Sequence, residues 1–208
     1  MASFHISPIG VLNHPWINKP DTKFNADGLF HTEHGVKGKP GEDLAAKIEQ
    51  AAKAALAEHV QEMKPAEAKK WDLYLPFERE EDDDGNPTGT IMFSYKQNAK
   101  IKSAKEPSGF KDVTIEVRDS KDNVIDVAIW DGSEGRIMFS MRPIVMVSTR
   151  KVGVRLDFAK VQITKLVQGG GSSRGFGAVE DGYVADDSDK GFGSVPKGDA
   201  SDNQGEDY

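Results

Sequence analysis

Between Glu42 and Lys64 the apolar positions fall at intervals of three and four: Leu44, Ile48, Ala52, Leu56, Val60 and Met63. That spacing predicts an α-helix with one buried face. Acidic residues in its first turn, Glu42 and Asp43, favour the positive end of the helix dipole, and Pro65 stops it. After Gly89 the period becomes two. Thr90 to Gln97 alternates, with Ile91, Phe93 and Tyr95 on one face. Lys111 to Arg118 repeats this with Val113, Ile115 and Val117, and Arg136 to Met141 with Ile137, Phe139 and Met141. A turn at Asp119 to Asn123 leads to a further short strand predicted over Val124 to Trp130. Val152 to Val167 is the last long strand region, and a parity shift between Phe158 and Val161 predicts a bulge near Ala159-Lys160. Before the helix, residues 1–27 are punctuated by Pro8, Pro15 and Pro20, which predicts an extended arm with one short strand at Ile9 to Leu12. Leu29 to Val36 reads as another strand. Phe93, Phe139 and Phe158 belong to the core by parity, and Tyr95 joins them with its hydroxyl placed at the rim.

Five or six short strands and one helix suit a small Greek-key barrel, of which the five-stranded oligonucleotide-binding (OB) fold is a common form. A β-sandwich fits the same pattern. The alternation ends at Val167. From Gln168 to Tyr208 the chain is rich in Gly, Ser and Asp, with nine acidic residues against three basic ones. We therefore expect a domain over residues 1–167 and a flexible, acidic, disordered tail over residues 168–208.

Charge sharpens this division. The tail carries −6 of the formal −7, and Glu78 to Asp84 nets −5, so what remains of the body is net positive. Lys96, Lys100, Lys102, Lys105 and Lys111 cluster around a single acid, Glu106, and Arg118, Arg136, Arg142, Arg150, Lys151 and Arg155 decorate the later strands. Single-strand binders need such cations to neutralise phosphates, and aromatic faces to stack bases. Trp16, Phe24, Trp71, Tyr74, Phe110 and Trp130 are candidates for the second role. A lysine-decorated solvent face is the competing explanation. With no cysteine, the chain has neither disulfides nor a thiolate metal site or nucleophile. No apolar run is long enough to span a bilayer and the N-terminus is not a signal peptide, so a soluble intracellular protein is expected.

Other motifs carry less. His31-x-x-His34 lacks a third ligand pattern. Asp82-Asp83-Asp84-Gly85-Asn86 has Pro87 where a calcium loop requires glycine, so it reads as a solvated hairpin loop. Arg174-Gly175-Phe176-Gly177 begins like an RNA-recognition strand but fails at Ala178. Nothing assembles a nucleophile, a base and oxyanion donors, so a non-enzymatic protein without cofactor or metal is expected.

In order and spacing, several segments resemble the single-stranded-DNA-binding proteins of T7-like bacteriophages. They are Trp16-Ile17-Asn18-Lys19-Pro20-Asp21, Gly28-Leu29-Phe30, the helix from Glu42, Gly89-Thr90 through Phe93-Ser94-Tyr95-Lys96, Asp119-Ser120-Lys121, and Phe139-Ser140-Met141-Arg142-Pro143 through Val154-Arg155-Leu156, Val161 and Leu166. In the tail, Glu180-Asp181-Gly182-Tyr183-Val184-Ala185 and the closing Glu206-Asp207-Tyr208 continue the match. The resemblance implies an OB fold that binds single strands without sequence preference and acts in phage DNA replication, recombination and repair, including strand annealing. It implies phosphate contacts from Lys96 and Arg136. It also implies a homodimer in the host-cell cytoplasm, whose tail, through Glu206, Asp207 and Tyr208, contacts the phage DNA polymerase and helicase-primase. Ser94, Ile144 and Asp27 stand where that family has lysine, tyrosine and a basic residue, which shifts base stacking towards Trp16, Phe24 or Phe110.

The expected DNA-binding set is therefore Trp16, Lys19, Lys23, Phe24, Lys96, Lys100, Lys102, Phe110, Lys111, Arg118, Arg136, Arg150 and Lys151. An interaction module whose tail recruits partners is the alternative. A magnesium nuclease built on Asp82 to Asp84 is a third reading, weakened because adjacent acids on one loop rarely converge on one ion.

Overall fold

The structure is a computed structural model and describes residues 3–23 and 25–167. Phe24, the tail, its aromatic tip and the segment around Phe176 lie outside the described residues. In chain order the elements are β1 (Phe4–Ile6), β2 (Gly10–Asp21), β3 (Leu29–Lys37), α1 (Lys39–Val60), α2 (Pro65–Ala68), β4 (Asp72–Tyr74), β5 (Phe77–Glu81), β6 (Pro87–Asn98), β7 (Lys100–Lys102), β8 (Phe110–Asp112), β9 (Glu116–Arg118), β10 (Glu134–Met146) and β11 (Lys151–Lys165).

The five long strands close on themselves. β2 pairs with β3, β3 with β6, β11 with β10, and β10 again with β2, all antiparallel, while β6 meets β11 in parallel. Taken in chain order, the first, second and third barrel strands are neighbours, and the last lies between the third and the fourth. This closed Greek-key ring is the OB fold, and closure excludes the β-sandwich. The closing seam is short, with Glu134 opposite Val11 and Gly135 opposite Gly10. Both glycines of the seam leave room for a close neighbour: a Cβ on Gly135 would stand 2.4 Å from the Gln162 carbonyl oxygen of β11, and one on Gly10 would stand 2.3 Å from the Gly35 carbonyl oxygen of β3.

Inside, the alternating positions meet as the pattern predicts. Phe93, Tyr95, Phe139 and Phe158 are fully buried, and each such ring contributes roughly 1.5–3 kcal/mol by leaving water. Tyr95 packs edge-on against Phe139, with centroids 5.2 Å apart. Its hydroxyl is not at the rim. It is buried without a well-formed hydrogen bond among the described residues, and burial pushes the phenol pKa well up, an effect the nearby Ser7 hydroxyl only partly offsets. Helix α1 lays Leu44, Ala45, Ile48, Ala52 and Ala55 against the barrel. It begins at Lys39, before the predicted Glu42, because Gly38 at φ 71° turns the chain out of β3 and Pro40 fits the first turn. It ends at Val60, before the predicted Lys64. Lys64 precedes Pro65 and is held extended, so the chain restarts as the short α2.

The N-terminal arm differs most from expectation. β2 is a full barrel strand, and β1 adds a short edge on β10. The pattern is hidden because β2 bends at His14 (φ 49°) and its register with β3 slips between Asn13 and Trp16. Pro15 and Pro20 are tolerated because, among the described residues, β2 has no strand ladder on its outer side there. Instead the predicted strand Val124 to Trp130 passes alongside without forming a strand; at its start Val124 bridges to Arg118 of β9, and Ile125 N donates to Val117 O at 2.9 Å. The side chain of Asn18 stands in for a ladder: its amide donates to Val127 O at 2.7 Å and its oxygen accepts from Ile129 N at 3.0 Å.

The predicted strand Lys111 to Arg118 is split. Its start forms β8 in a separate two-stranded ribbon with β7, and its end forms β9, parallel to β11. The predicted bulge is present: Met138 pairs with Lys160 and Phe139 with Phe158, leaving Ala159 extra. Asp82 to Asn86 forms the solvated hairpin loop between β5 and β6, where the Asp82 carboxylate accepts from the Asp84 and Asn86 amides. His31 and His34 point to opposite faces of β3 and cannot share an ion. His31 sits outside near Asp21, and His34 is buried with Nε2 3.2 Å from Gly135 O.

Candidate nucleic-acid interface

The outward face of β10 and β11 is the floor of a groove of about 780 Å³. The β7–β8 ribbon forms one wall, Phe4 of β1 contributes to another, and Asp27 of the β2–β3 loop stands at the mouth. Lys100, Lys102 and Lys111 enter from the ribbon, and Arg142 and Arg155 rise from the floor. The ribbon exists because Lys100 pairs with Asp112, Ile101 with Lys111 and Lys102 with Phe110. It lies outside the barrel ladder, so its side chains have no core to face. Among the described residues, Lys102 and Lys111 make no ion pair, while Lys100 reaches Asp27 at 3.9 Å. Phe110 is 46% and Phe4 58% exposed, so two aromatic faces stand in water beside unpaired cations, the combination that base stacking and phosphate neutralisation require.

On the floor, Arg142 pairs with Arg155 across the β10–β11 ladder. Asp157 lies between them: Arg142 Nε donates to its Oδ2 at 2.6 Å and Arg155 Nε donates to its Oδ1. Arg155 Nη1 also donates to Asn98 Oδ1 at 3.1 Å. Lys96 pairs with Asp157 in the parallel β6–β11 register and shares its outward face.

A second cationic hollow lies further along β10 and β11, lined by Arg118, Arg136 and Lys160 with Ile6, Met138 and Gln162. Here the cations have partners. Arg118 Nε and Lys160 Nζ both reach Glu116 Oε1, at 2.6 and 2.8 Å. The hydrogen bond from Arg118, then that from Lys160, holds the Glu116 carboxyl down at about 2. Arg118 also pairs with Asp122 at 3.1 Å, and Arg136 Nε donates to Gln162 at 2.7 Å.

A third hollow, of about 550 Å³, is largely apolar and lies between β2 and residues 128–131, with Trp16 and Trp130 exposed on it. Lys19 Nζ sits 6.0 Å from the Trp16 ring, and His31 stacks on that ring at 6.1 Å. Trp71, a sequence candidate for stacking, packs instead on His59 at 4.3 Å.

The sequence candidates are thus divided among separate places. Lys100, Lys102, Phe110 and Lys111 meet in the groove with Lys96 beside it. Arg118 and Arg136 occupy the second hollow, and Trp16 and Lys19 the third. Lys23 lies in the exposed β2–β3 loop. Arg150 and Lys151 are at the β10–β11 turn beside β4 and line none of these three hollows. The sequence-derived set omitted Arg142, Arg155 and Phe4. The two arginines were visible only as strand decoration, and the signal that singles them out is their direct pairing across one hairpin.

A barrel of this topology with a cationic, aromatic-edged groove defines the class: an OB-fold module whose exposed chemistry suits nucleic acid. No protein-family profile matches the chain, and no curated protein matches it by sequence. Among solved structures it is similar to gp2.5, a single-stranded DNA binding protein encoded by bacteriophage T7. The TM-score is 0.69 and the identity 22%, covering 89% of this chain and 100% of that one. The single-stranded DNA-binding protein from bacteriophage Enc34, as a C-terminal truncation, gives a TM-score of 0.55 at 8% identity, covering 79% and 87%. The same phage protein in complex with single-stranded DNA gives 0.54 at 8%, covering 79% and 88%. At these identities the likeness is one of fold, and it is the fold that the sequence resemblance implied.

Proposed function

We propose that this chain is a non-enzymatic protein that binds single-stranded DNA without sequence preference, in phage DNA replication, recombination and repair. The observation that carries the reading is the groove on the OB barrel, where Lys102 and Lys111 stand without ion pairs among the described residues, beside the exposed ring of Phe110. Lysines that hold phosphates and rings that stack any base give affinity without sequence readout. The likeness in fold to phage proteins whose names state single-strand binding supports the same reading. Lys96 and the groove lysines hold the backbone, while Trp16, Lys19, Lys23, Phe24, Arg118, Arg136, Arg150 and Lys151 extend the path or steer the strand towards it.

Residues 1–167 form the binding domain and residues 168–208 an acidic appendage. Carrying −6, the tail opposes a cationic groove and lowers its affinity. Glu206, Asp207 and Tyr208 are its contact with the phage DNA polymerase and helicase-primase, and the protein acts as a homodimer with strand annealing among its activities.

A salt-titrated affinity for single-stranded and duplex DNA, with the full chain and with a truncation at Gly169, tests the core of this. We expect a single-strand preference that strengthens on truncation. Flat binding at low salt in both forms would sink the reading. The apolar hollow between Trp16 and Trp130 would then favour a protein-interaction module.

A further inference from the structure

The carboxylate of Asp157 stands on the floor of a groove that is to receive a polyanion, where simple charge counting makes it an obstacle. Its geometry argues otherwise. It is 15% exposed and bridges two arginines, one of them, Arg155, only 20% exposed. Both guanidiniums spend their Nε–H on Asp157, and Arg155 spends one Nη on Asn98. Each guanidinium has five N–H donors. Both Nη groups of Arg142 and Nη2 of Arg155 therefore have no protein acceptor among these contacts. The two cations are held side by side by one anion, leaving a net positive charge. Without that anion they would repel each other, and Arg142, 50% exposed, would be free to swing into solvent.

We propose that Asp157 is a positioning residue: it locks Arg142 and Arg155 into one preorganised clamp for a single phosphate of the bound strand. The inference rests on the reading of the groove as a single-strand site. A fixed fork matches phosphate bidentately, and a clamp held in place before binding loses less rotamer entropy when the strand arrives. Asp27, at the mouth, meets one cation, Lys100, at a loose 3.9 Å and bridges no second one among the described residues, so its charge opposes the strand.

The test is fluorescence anisotropy of labelled oligothymidylate over a salt series, with the full chain and its Asp157→Asn, Arg142→Ala, Arg142→Lys and Asp27→Asn variants, each checked by thermal unfolding. The clamp predicts that Asp157→Asn weakens binding about tenfold, the scale of one charge-assisted hydrogen bond, although it removes a negative charge. Asp27→Asn should strengthen binding. Arg142→Ala should cost about tenfold in the wild-type background and little when combined with Asp157→Asn. Equal or tighter binding by a folded Asp157→Asn variant, or additive losses in the double variant, overturns the clamp alone. If Asp157→Asn does not fold, Arg142→Lys decides. It keeps the charge but loses the fork, so binding near the wild-type level overturns the proposal and a loss close to that of Arg142→Ala supports it. A wild-type chain that ignores oligothymidylate overturns the functional reading and the clamp with it.

Discussion

The ribbon groove and the Arg118 hollow are both cationic and both lie on the outer face of the β10–β11 hairpin, yet they differ in what their charges already hold. In the hollow, Glu116 accepts from Arg118 and Lys160 together, and Asp122 takes a second share of Arg118. In the ribbon groove, Lys102 and Lys111 have no carboxylate partner among the described residues, and Phe110 is exposed beside them. A count of basic residues treats the two regions alike. Binding does not, because a cation already paired neutralises a phosphate only by giving up its own partner, and it releases fewer counterions when it does so. The groove is open to a polyanion, and the hollow is largely an internal ion network on the surface.

The largest effect should come from Lys102→Ala with Lys111→Ala. Single-strand affinity should fall on the order of a hundredfold, at about tenfold per charge-assisted contact. The log–log salt slope should become shallower by roughly 1.4, at about 0.7 for each single-strand phosphate. If Arg118→Ala with Lys160→Ala costs as much, the distinction between the regions is broken.

Acid tests the frame beneath both regions. Burial holds the His34 pKa down at about 4, against an ordinary value of 6.5, and its Nδ1 has no hydrogen-bond partner among the described residues. The unfolded chain therefore binds a proton that the native barrel refuses. Stability falls as pH drops from about 6.5 to about 4, by up to about 3 kcal/mol, and this contribution does not grow further below that. Denaturant titrations of wild type and His34→Gln across that window should diverge accordingly. Parallel curves would show that the β2–β10 seam does not depend on a neutral imidazole. Glu116 stays ionised throughout this range, because its folded pKa lies near 2, so acid does not release the hollow's cations before the seam weakens.

Phe110→Ala should cost roughly tenfold in affinity, within the 1–3 kcal/mol of a stacked base. The loss should be similar for all homopolymers and should leave the salt slope unchanged. A change in slope without a change in low-salt affinity would mean that the ring only positions the ribbon. The smallest effect should come from Glu116→Gln, which frees Arg118 and Lys160. We expect a few-fold gain in affinity and a steeper salt slope as the hollow begins to take phosphates. No gain at any salt would show that the hollow lies off the strand's path.

Much of the fold was legible in the chain. Period-two alternation placed Ile91, Phe93, Tyr95, Ile137 and Phe139 inside, and a parity shift located the bulge at Ala159, because side-chain direction along a strand follows residue number. β2 was not legible, since Pro15, Pro20 and the bend at His14 erase the alternation. Nor was the covering of β2 by residues 127–131, because Asn18 makes with one side chain the bonds that a strand pattern assigns to backbone. In the groove, the ribbon lysines and Phe110 were singled out in sequence, while Arg142 and Arg155 were not, since outward parity marks a side chain as exposed without saying what it faces.

The sequence by itself determined the inward set, the helix, the division of charge between body and tail and the supply of cations and aromatics. These follow from local periodicity and composition, which need no knowledge of the partner strand. Only the tertiary structure decided which cations are free. Whether a lysine meets a carboxylate depends on registers such as Lys160 beside Glu116 and Arg142 opposite Arg155, and those are set when distant strands pair and the barrel closes over Gly10 and Gly135.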